Sequence, residues 1–137
     1  MGVDDPDRLV RQAIDAMGAL DVEAVTALLA DDFVLELPFR ADGGPRRMES
    51  DEARAFMRAM PTLLAEMPFL DVVVHGALPT GEIVAEYRSD GVTHSGRPYR
   101  NRYVAFFTVR DGRIARWREF FDPTAVTAAF GRPRPPA

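Results

Sequence analysis

The segment Asn101–Gly131 constrains the fold more than any other part of the chain. Two apolar-rich runs flank Asp111-Gly112, a dipeptide that is typical of the tight turn in a β-hairpin. Asp122-Pro123 then predicts the start of a helix, with Asp as the N-cap and Pro at the first helical position. The segment therefore predicts two antiparallel strands that are joined by a short turn and followed by a short helix.

The rest of the chain places helices before strands. Asp5-Pro6 and Asp21 mark the starts of the first two helices, and Ser50 is expected to cap a third, which Pro61 should kink or interrupt. The predicted strands are Phe33–Leu37, Leu70–Ala77, Ile83–Asp90, Arg100–Val109 and Arg113–Phe121, and the last helix lies near Pro123–Phe130. This order predicts an α+β fold: a cone-shaped, curved antiparallel sheet of about four to six strands, with three helices from the N-terminal half over its concave face and a short C-terminal helix.

The composition excludes several classes of function. The 137 residues contain no cysteine and no lysine, which rules out disulfides, a thiolate nucleophile, a Schiff-base lysine and a P-loop. The net charge is −4 and the arginines are dispersed, so we expect no nucleic-acid partner. Neither a signal peptide nor a membrane-spanning run is recognisable, so a cytoplasmic protein is expected. We predict one domain, residues 5–131, and a Pro-rich tail, residues 132–137, that stays outside the core.

Alternation along the hairpin singles out Glu119. A two-residue turn would pair Arg110 with Arg113, whereas a three-residue turn would pair Val109 with Arg113; we prefer the second because it sorts the side chains better. One face then carries Asn101, Tyr103, Ala105, Phe107, Ala115, Trp117, Glu119 and Phe121, with a single charge among them. Burial under the helices would raise the pKa of Glu119 toward neutrality, which suits a general acid or base. The alternative is that Glu119 serves as a structural partner for an arginine.

The strand Ile83–Asp90 leaves two orientations open. Glu86, Arg88 and Asp90 lie on one face, and Ile83, Ala85, Tyr87 and Ser89 lie on the other. Periodicity alone favours a solvated charged face. If that face looks inward instead, Arg88, Asp90 and Glu119 could form a network that keeps one carboxyl protonated and the other ionised.

Further residues are candidates for binding a substrate. Tyr103 and Asn101 could donate hydrogen bonds to a substrate oxygen, and Glu36 either points inward or caps the loop that follows it. Trp117, Phe121, Phe107, Phe56 and Met60 are expected to form apolar walls. The two histidines, His75 and His94, have no metal-site spacing and no phosphate-binding loop is present, so neither a metal nor a cofactor is expected.

Three segments of the chain resemble the SnoaL-like branch of the nuclear-transport-factor-2-like superfamily: DVEAVTALLADDFVLELPF, VAEYRSD and GRPYRNRYVAFFTVRDGRIARWREFFDP. Members of this superfamily are cone-shaped α+β barrels. The resemblance covers nearly the whole domain and implies that fold, together with a homodimer through the sheet. It does not specify an activity, because the fold hosts isomerases, cyclases, hydrolases and non-catalytic binders.

Three relatives imply different chemistries. Ketosteroid isomerase is similar through ADDFVLELPF, but its catalytic Asp falls at Leu37, its oxyanion-hole Tyr near Ala13 and its protonated Asp near Asn101, so its route is not expected here. Limonene-epoxide hydrolase resembles the chain better. Its Arg-x-Asp matches Arg88-Ser89-Asp90 and its second catalytic Asp matches Glu119, although its water-orienting Tyr and Asn are not reproduced. The resemblance implies that Arg88 and Asp90 face inward. The phenazine-biosynthesis A/B family carries a catalytic Glu that matches Glu119, but its helical His has no counterpart.

These observations predict a cofactor-independent acid–base enzyme that acts on a small, mostly apolar metabolite in a closed pocket. Glu119 would be the general base, Asp90 the general acid, and Arg88 the group that positions both. Ring opening or closing, as in epoxide hydrolysis or polyketide-type cyclisation, suits this set better than steroid isomerisation. The competing hypothesis is a non-catalytic small-molecule binder or dimeric interaction module of the same fold.

Overall fold

The computed structural model describes residues 5–132. The helices are α1 (Pro6–Gly18), α2 (Val22–Thr26), α3 (Ser50–Leu63) and α4 (Pro123–Phe130). The strands are β1 (Leu29–Glu36), β2 (Arg47–Glu49), β3 (Leu64–Glu66), β4 (Phe69–Ala77), β5 (Ile83–Thr93), β6 (Pro98–Arg110) and β7 (Arg113–Phe121). Apart from Arg132, the predicted Pro-rich tail lies outside the described residues. No helix in the described range is both long enough and apolar enough to cross a membrane.

Aspartate side chains begin three of the helices, as the sequence predicts. Their Oδ1 atoms accept backbone N–H hydrogen bonds at the starts of α1, α2 and α4, and the residues are Asp5, Asp21 and Asp122. Helix α3 is different. It begins at Ser50 after an N-cap, Glu49, that makes no side-chain capping hydrogen bond, so the predicted Ser50 cap is wrong. Helix α3 also continues two residues beyond Pro61 before it ends.

The strands form one curved sheet in the order β2-β1-β7-β6-β5-β3, and β4 pairs with a second stretch of β5. The predicted α+β architecture is confirmed, with two differences. Strands β2 and β3 were not predicted, because three residues are too few to show an alternation. The sheet is also mixed, since β1 runs parallel to β7 while the other pairs are antiparallel.

The β6–β7 hairpin has the two-residue turn, so the preferred three-residue turn was wrong. Arg110 pairs with Arg113, and the two turn residues have positive φ values of 53° for Asp111 and 72° for Gly112. Positive φ at both central positions is the signature of a type I′ turn, which Asp-Gly favours.

A bulge nevertheless restores the predicted facing of the side chains. Val109 pairs with Ile114 but Thr108 pairs with Arg116, so Ala115 is an extra residue on β7. Beyond this bulge the alternation is shifted by one residue. Glu119 therefore shares the inner face of the sheet with Tyr103, Phe107 and Trp117, as the sequence analysis had assigned it.

The helices cover this inner face. Helix α1 contacts β4 and β5, α3 contacts β1, and α4 contacts β6. The side of α1 that faces the sheet is buried through Val10, Ala13, Ile14 and Met17. Apolar side chains from both layers fill the space near α1, but between α3, α4 and the sheet they leave an open cavity.

Candidate active site

A cavity of about 430 Å³ lies between helices α3 and α4 and the inner face of the sheet. Most of its wall is apolar, with Phe56 and Met60 from α3, Trp117 and Phe121 from β7, and Val126 from α4. The polar or ionisable residues in its lining are Arg40, Asp42, Tyr99, Tyr103, Glu119, Thr127 and Arg132. A volume of this size with a few polar groups is typical of a site for a small molecule.

Glu119 is the acidic residue that strand β7 contributes to the cavity lining. Its side chain is half-buried, and the Tyr87 hydroxyl donates a hydrogen bond to its Oε2. Burial raises the pKa of Glu119 to about 7, while hydrogen bonds from Tyr87 and Trp117 limit the rise. None of the ion pairs formed within residues 5–132 includes Glu119, so the alternative role as an arginine partner is not what the structure shows.

Tyr87 links Glu119 to the aromatic wall. It is 3 % exposed, it accepts a hydrogen bond from Trp117 Nε1 at 3.3 Å, and its ring stacks on Tyr103 with a centroid distance of 5.0 Å. Burial and the neighbouring Glu119 raise the pKa of Tyr87 well above its usual value. Tyr87 is therefore a neutral phenol, and its hydroxyl donates a hydrogen bond to the carboxyl.

A second hydrogen-bond chain runs from β5 to β6. Ser89 Oγ and Tyr103 Oη are 2.9 Å apart, Tyr103 Oη donates to Tyr99 Oη at 3.0 Å, and Asn101 Nδ2 donates to Tyr99 Oη at 3.1 Å. Burial raises the pKa values of Tyr99 and Tyr103 above the usual phenol value. This part of the cavity wall therefore places the Glu119 carboxyl beside neutral phenols.

Asn101 does not reach the cavity, so its predicted role as a donor to substrate is wrong. Its Oδ1 accepts hydrogen bonds from the backbone N–H groups of Arg102 (2.8 Å) and Asp122 (2.9 Å). Its Nδ2 donates to the carbonyl of Asp122 (3.0 Å) and to Tyr99. All four contacts are internal, and Asn101 joins the start of α4 to strand β6.

Arg88 and Asp90 lie on the outer face of the sheet, which corrects the predicted network with Glu119. In the β5–β6 register, Tyr87 lies opposite Tyr103 and Ser89 opposite Asn101, so these side chains are buried inside. The alternating positions therefore point outward, where Arg88 Nε contacts Asp71 Oδ2 at 2.5 Å and Asp90 Oδ1 contacts Arg100 Nε at 3.1 Å. The solvated reading of this strand, which its periodicity favoured, is the observed one.

Two other candidates also lie away from the cavity. Glu36 pairs with Arg116 on the outer side of the β1–β7 pair and does not line the cavity. Phe107 is fully buried and packs on Trp117 with a centroid distance of 4.8 Å, so it is part of the core behind the wall. Tyr103, Trp117, Phe121, Phe56 and Met60 do line the cavity, as expected. The roles assigned to them and to Glu119 remain predictions.

Two residues of the site, Tyr87 and Tyr99, were not predicted from the sequence. Tyr87 was placed on the uncharged face of its strand, which turns out to be the inner one. Tyr99 precedes Asn101 and Tyr103 at two-residue steps and so belongs to their face. That spacing was the signal that could have identified it. Among residues 5–132 no three His, Asp or Glu side chains are grouped so as to hold a metal ion.

A curved α+β sheet that helices cover, with an apolar cavity between the two layers, is the architecture of the nuclear-transport-factor-2-like fold. The chain belongs to the SnoaL-like domain family, which matches residues 10–117. It is 32% identical over 113 residues to the uncharacterized protein YesE of Bacillus subtilis, covering 81% of this chain and 77% of YesE. It is also 33% identical over 100 residues to an uncharacterized PhzA/B-like protein of Pseudomonas aeruginosa, covering 72% and 70% of the two chains.

Solved structures show the same fold. A Bacillus subtilis protein provisionally named an isomerase is similar with a TM-score of 0.82 and 28% identity, over 90% of this chain and 91% of that one. A Xanthomonas campestris protein provisionally named a polyketide cyclase is similar with a TM-score of 0.71 and 30% identity, over 85% and 90% of the two chains.

Proposed function

We propose that this protein is a cofactor-independent acid–base enzyme that moves a proton on a small, mostly apolar metabolite, as an isomerase or a cyclase does. The observation that carries the proposal is Glu119, a carboxyl with a pKa of about 7 that faces an apolar cavity and, within residues 5–132, accepts its hydrogen bond from a neutral donor and forms no ion pair. A group that titrates near the working pH can accept a proton in one step and return it in the next.

The other acidic group in the cavity lining does not compete for this role. Asp42 lies near the mouth, 2.7 Å from Arg40 Nε. Burial raises the pKa of Asp42, but hydrogen bonds from Arg40 and Gly44 outweigh that effect and the pKa falls below its usual value. Asp42 is therefore ionised at neutral pH, which leaves Glu119 as the one carboxyl among the described lining residues that is poised for proton transfer.

A single poised carboxyl favours some of the expected reactions over others. Epoxide hydrolysis of the kind first considered uses one carboxyl to activate water and a second to protonate the leaving oxygen, and Asp90 is outside. Proton abstraction from carbon requires one base, which can later protonate a different carbon or leave a carbanion to close a ring. Isomerisation and cyclisation therefore fit the cavity best, and the provisional names of two similar structures point the same way.

The test uses 2-tetralone, a small apolar ketone with acidic hydrogens next to its carbonyl. In D₂O, the protein should accelerate exchange of these hydrogens, followed by mass spectrometry. Glu119→Gln should reduce the accelerated rate by about 10²–10⁴-fold. Asp90→Asn is the matched control, and it should exchange at the wild-type rate because Asp90 faces away from the cavity.

Two outcomes would contradict the acid–base proposal. One is exchange in Glu119→Gln at the wild-type rate. The other is exchange no faster than in buffer although calorimetry shows that 2-tetralone binds. The second result would instead support the competing hypothesis of a non-catalytic binder.

We also propose that the protein forms a homodimer through the outer face of the sheet. The exposed side chains there include Phe39 (53 %), Val73 (48 %) and Val104 (37 %), which surround a groove of about 470 Å³ that Arg88 and Arg102 border. An apolar centre with a charged rim is typical of a protein interface. Light scattering on the wild type should give a dimer mass, and Val104→Glu should give a monomer. A monomeric wild type at micromolar concentration would contradict this.

A further inference from the structure

The hydroxyl of Tyr99 has a proton that no other residue in the range 5–132 accepts in a hydrogen bond. Tyr99 is 6 % exposed, lines the cavity, and packs against Phe130 of α4 with a centroid distance of 5.5 Å. Its oxygen accepts two hydrogen bonds, from Asn101 and from Tyr103. A phenol has one further capacity, the donation of its own proton. No hydrogen bond formed within residues 5–132 has the Tyr99 hydroxyl as its donor.

The direction of the first bond is fixed by the orientation of the Asn101 amide. Two backbone N–H groups, from Arg102 and Asp122, point at the Asn101 oxygen. If the amide were flipped, those donors would face an NH₂ group and lose their acceptor. The Asn101 nitrogen therefore faces Tyr99, and Tyr99 must be the acceptor in that bond.

The direction of the second bond follows from the far end of the chain. Ser89 Oγ accepts the backbone N–H of Asn101 at 3.1 Å, so the serine hydroxyl is free to donate to Tyr103. The Tyr103 hydroxyl then donates a hydrogen bond to the Tyr99 oxygen. The hydroxyls of Ser89, Tyr103 and Tyr99 therefore all donate in the same direction. The last of them, Tyr99, lines the cavity, and its O–H can still donate one hydrogen bond. Ordered chains of this kind strengthen the final donor.

We propose that Tyr99 donates this hydrogen bond to an acceptor oxygen of the substrate, which makes the substrate a carbonyl compound. The inference rests on the proposed function, because Glu119 lines the same cavity and would remove a proton from the carbon beside that carbonyl. Burial raises the pKa of Tyr99, and the charge of Glu119 raises it further, so the phenol keeps its proton throughout.

The proposed step balances without any further reactant. Glu119 takes the proton from the carbon, the electron pair of the C–H bond moves toward the carbonyl carbon, and the carbonyl oxygen becomes an enolate oxygen. Tyr99 stabilises that developing negative charge through its hydrogen bond. Glu119 then returns the proton to a carbon. Alternatively, the enolate carbon attacks a second carbonyl carbon in the same molecule and closes a ring, the π electrons of that carbonyl move to its oxygen, and Glu119 returns the proton to the resulting alkoxide. Tyr103 was predicted as a donor to substrate, but here it donates its hydrogen bond to Tyr99, which would contact the substrate.

Infrared spectroscopy of bound 2-tetralone, with ¹³C at its carbonyl, tests this assignment on the full chain. A hydrogen bond to the carbonyl lowers its stretching frequency relative to the frequency in an apolar solvent. We expect the lowered frequency in the wild type, its return to the apolar-solvent frequency in Tyr99→Phe, and a loss of exchange rate of about 10²–10³-fold in that variant. Tyr103→Phe should keep the lowered frequency, because Tyr99 retains its own proton.

The outcomes separate this inference from the proposed function. An unshifted frequency in the wild type overturns the inference, and so does a shift that is lost in Tyr103→Phe but kept in Tyr99→Phe. If Tyr99→Phe does not fold, an unshifted wild-type frequency still overturns the inference, and so does a shift that is lost in Tyr103→Phe. If the shift depends on Tyr99 but Glu119→Gln exchanges normally, then Tyr99 binds a carbonyl oxygen and the acid–base proposal is wrong. Binding of tetralin, which lacks the oxygen, should be equal in the wild type, Tyr99→Phe and Tyr103→Phe.

Discussion

The two faces of the sheet handle carboxylates in opposite ways. On the outer face, Asp71, Asp90 and Glu36 each contact an arginine. On the inner face, Glu119 forms no ion pair with any residue in the range 5–132 and accepts a hydrogen bond from the phenol of Tyr87. Glu119 belongs to the same β7 strand as Arg116 and Arg118, whose side chains are directed to the other side.

This contrast decides which carboxyl can do chemistry. Burial without a cation disfavours the ionised form and brings the pKa of Glu119 to about 7. Adjacent positions on β7 therefore have different roles: Arg118 forms an ion pair on the outer face, whereas Glu119 on the inner face is a candidate general base.

The largest expected difference between the faces is in packing. Phe107 is fully buried on the inner face, so Phe107→Ala should lower the free energy of unfolding by about 3–5 kcal/mol. Phe106, its neighbour in sequence, lies half-buried on the outer face with the Arg118 guanidinium 4.7 Å from its ring centre. Phe106→Ala should cost only about 1 kcal/mol. Urea unfolding measures both, and equal costs would show that the outer face is packed as tightly as the inner one.

The second prediction concerns the stability that the protein loses by ionising Glu119. Its pKa rises from an ordinary 4.5 to about 7 on folding, so the folded state binds more protons between these pH values. The free energy of unfolding should therefore fall as the pH rises through this window, by up to about 3 kcal/mol, and change no further above it. Glu119→Gln, which cannot ionise, should be more stable than the wild type above about pH 7 and similar to it near pH 4.5.

Glu36→Gln is the outer-face control for this experiment. It removes one member of a partly exposed ion pair, so it should lower stability by about 1 kcal/mol, the opposite sign to Glu119→Gln at high pH. Urea unfolding at several pH values compares the two variants. A wild type and Glu119→Gln that show the same pH dependence would mean that Glu119 is not desolvated.

Most of the fold could be predicted because its signals are local. The β7 strand and helix α4 have the predicted limits, since the Asp-Gly turn and the Asp-Pro helix start are read from two residues each. The turn length was misjudged because the sorting of side chains was attributed to the loop, whereas the bulge at Ala115 produces it. A bulge depends on pairing across strands, and a single sequence does not show that pairing.

The site was predicted in part, for a similar reason. Glu119, Tyr103 and Trp117 were found because alternation within the hairpin assigns them to one face. Arg88 and Asp90 were misplaced because a three-residue match to another enzyme was given more weight than the alternation of their own strand. Such a short match carries no information on which side of the sheet its residues lie, whereas burial of Tyr87 and Ser89 fixes that side.

The smallest expected effect concerns the neutral donor that distinguishes Glu119 from the outer carboxylates. The Tyr87 hydrogen bond stabilises the ionised form of Glu119 and lowers its pKa. Tyr87→Phe removes that bond, at a cost to the carboxylate of about 1.5 kcal/mol, so the pKa of Glu119 should rise by about one unit. The pH at which exchange of 2-tetralone reaches half its maximal rate should rise equally. Tyr103→Phe should leave this midpoint nearly unchanged, because Tyr103 makes no hydrogen bond to Glu119. If both variants moved the midpoint equally, then general desolvation, rather than the Tyr87 hydroxyl, would set the proton affinity of the inner carboxyl.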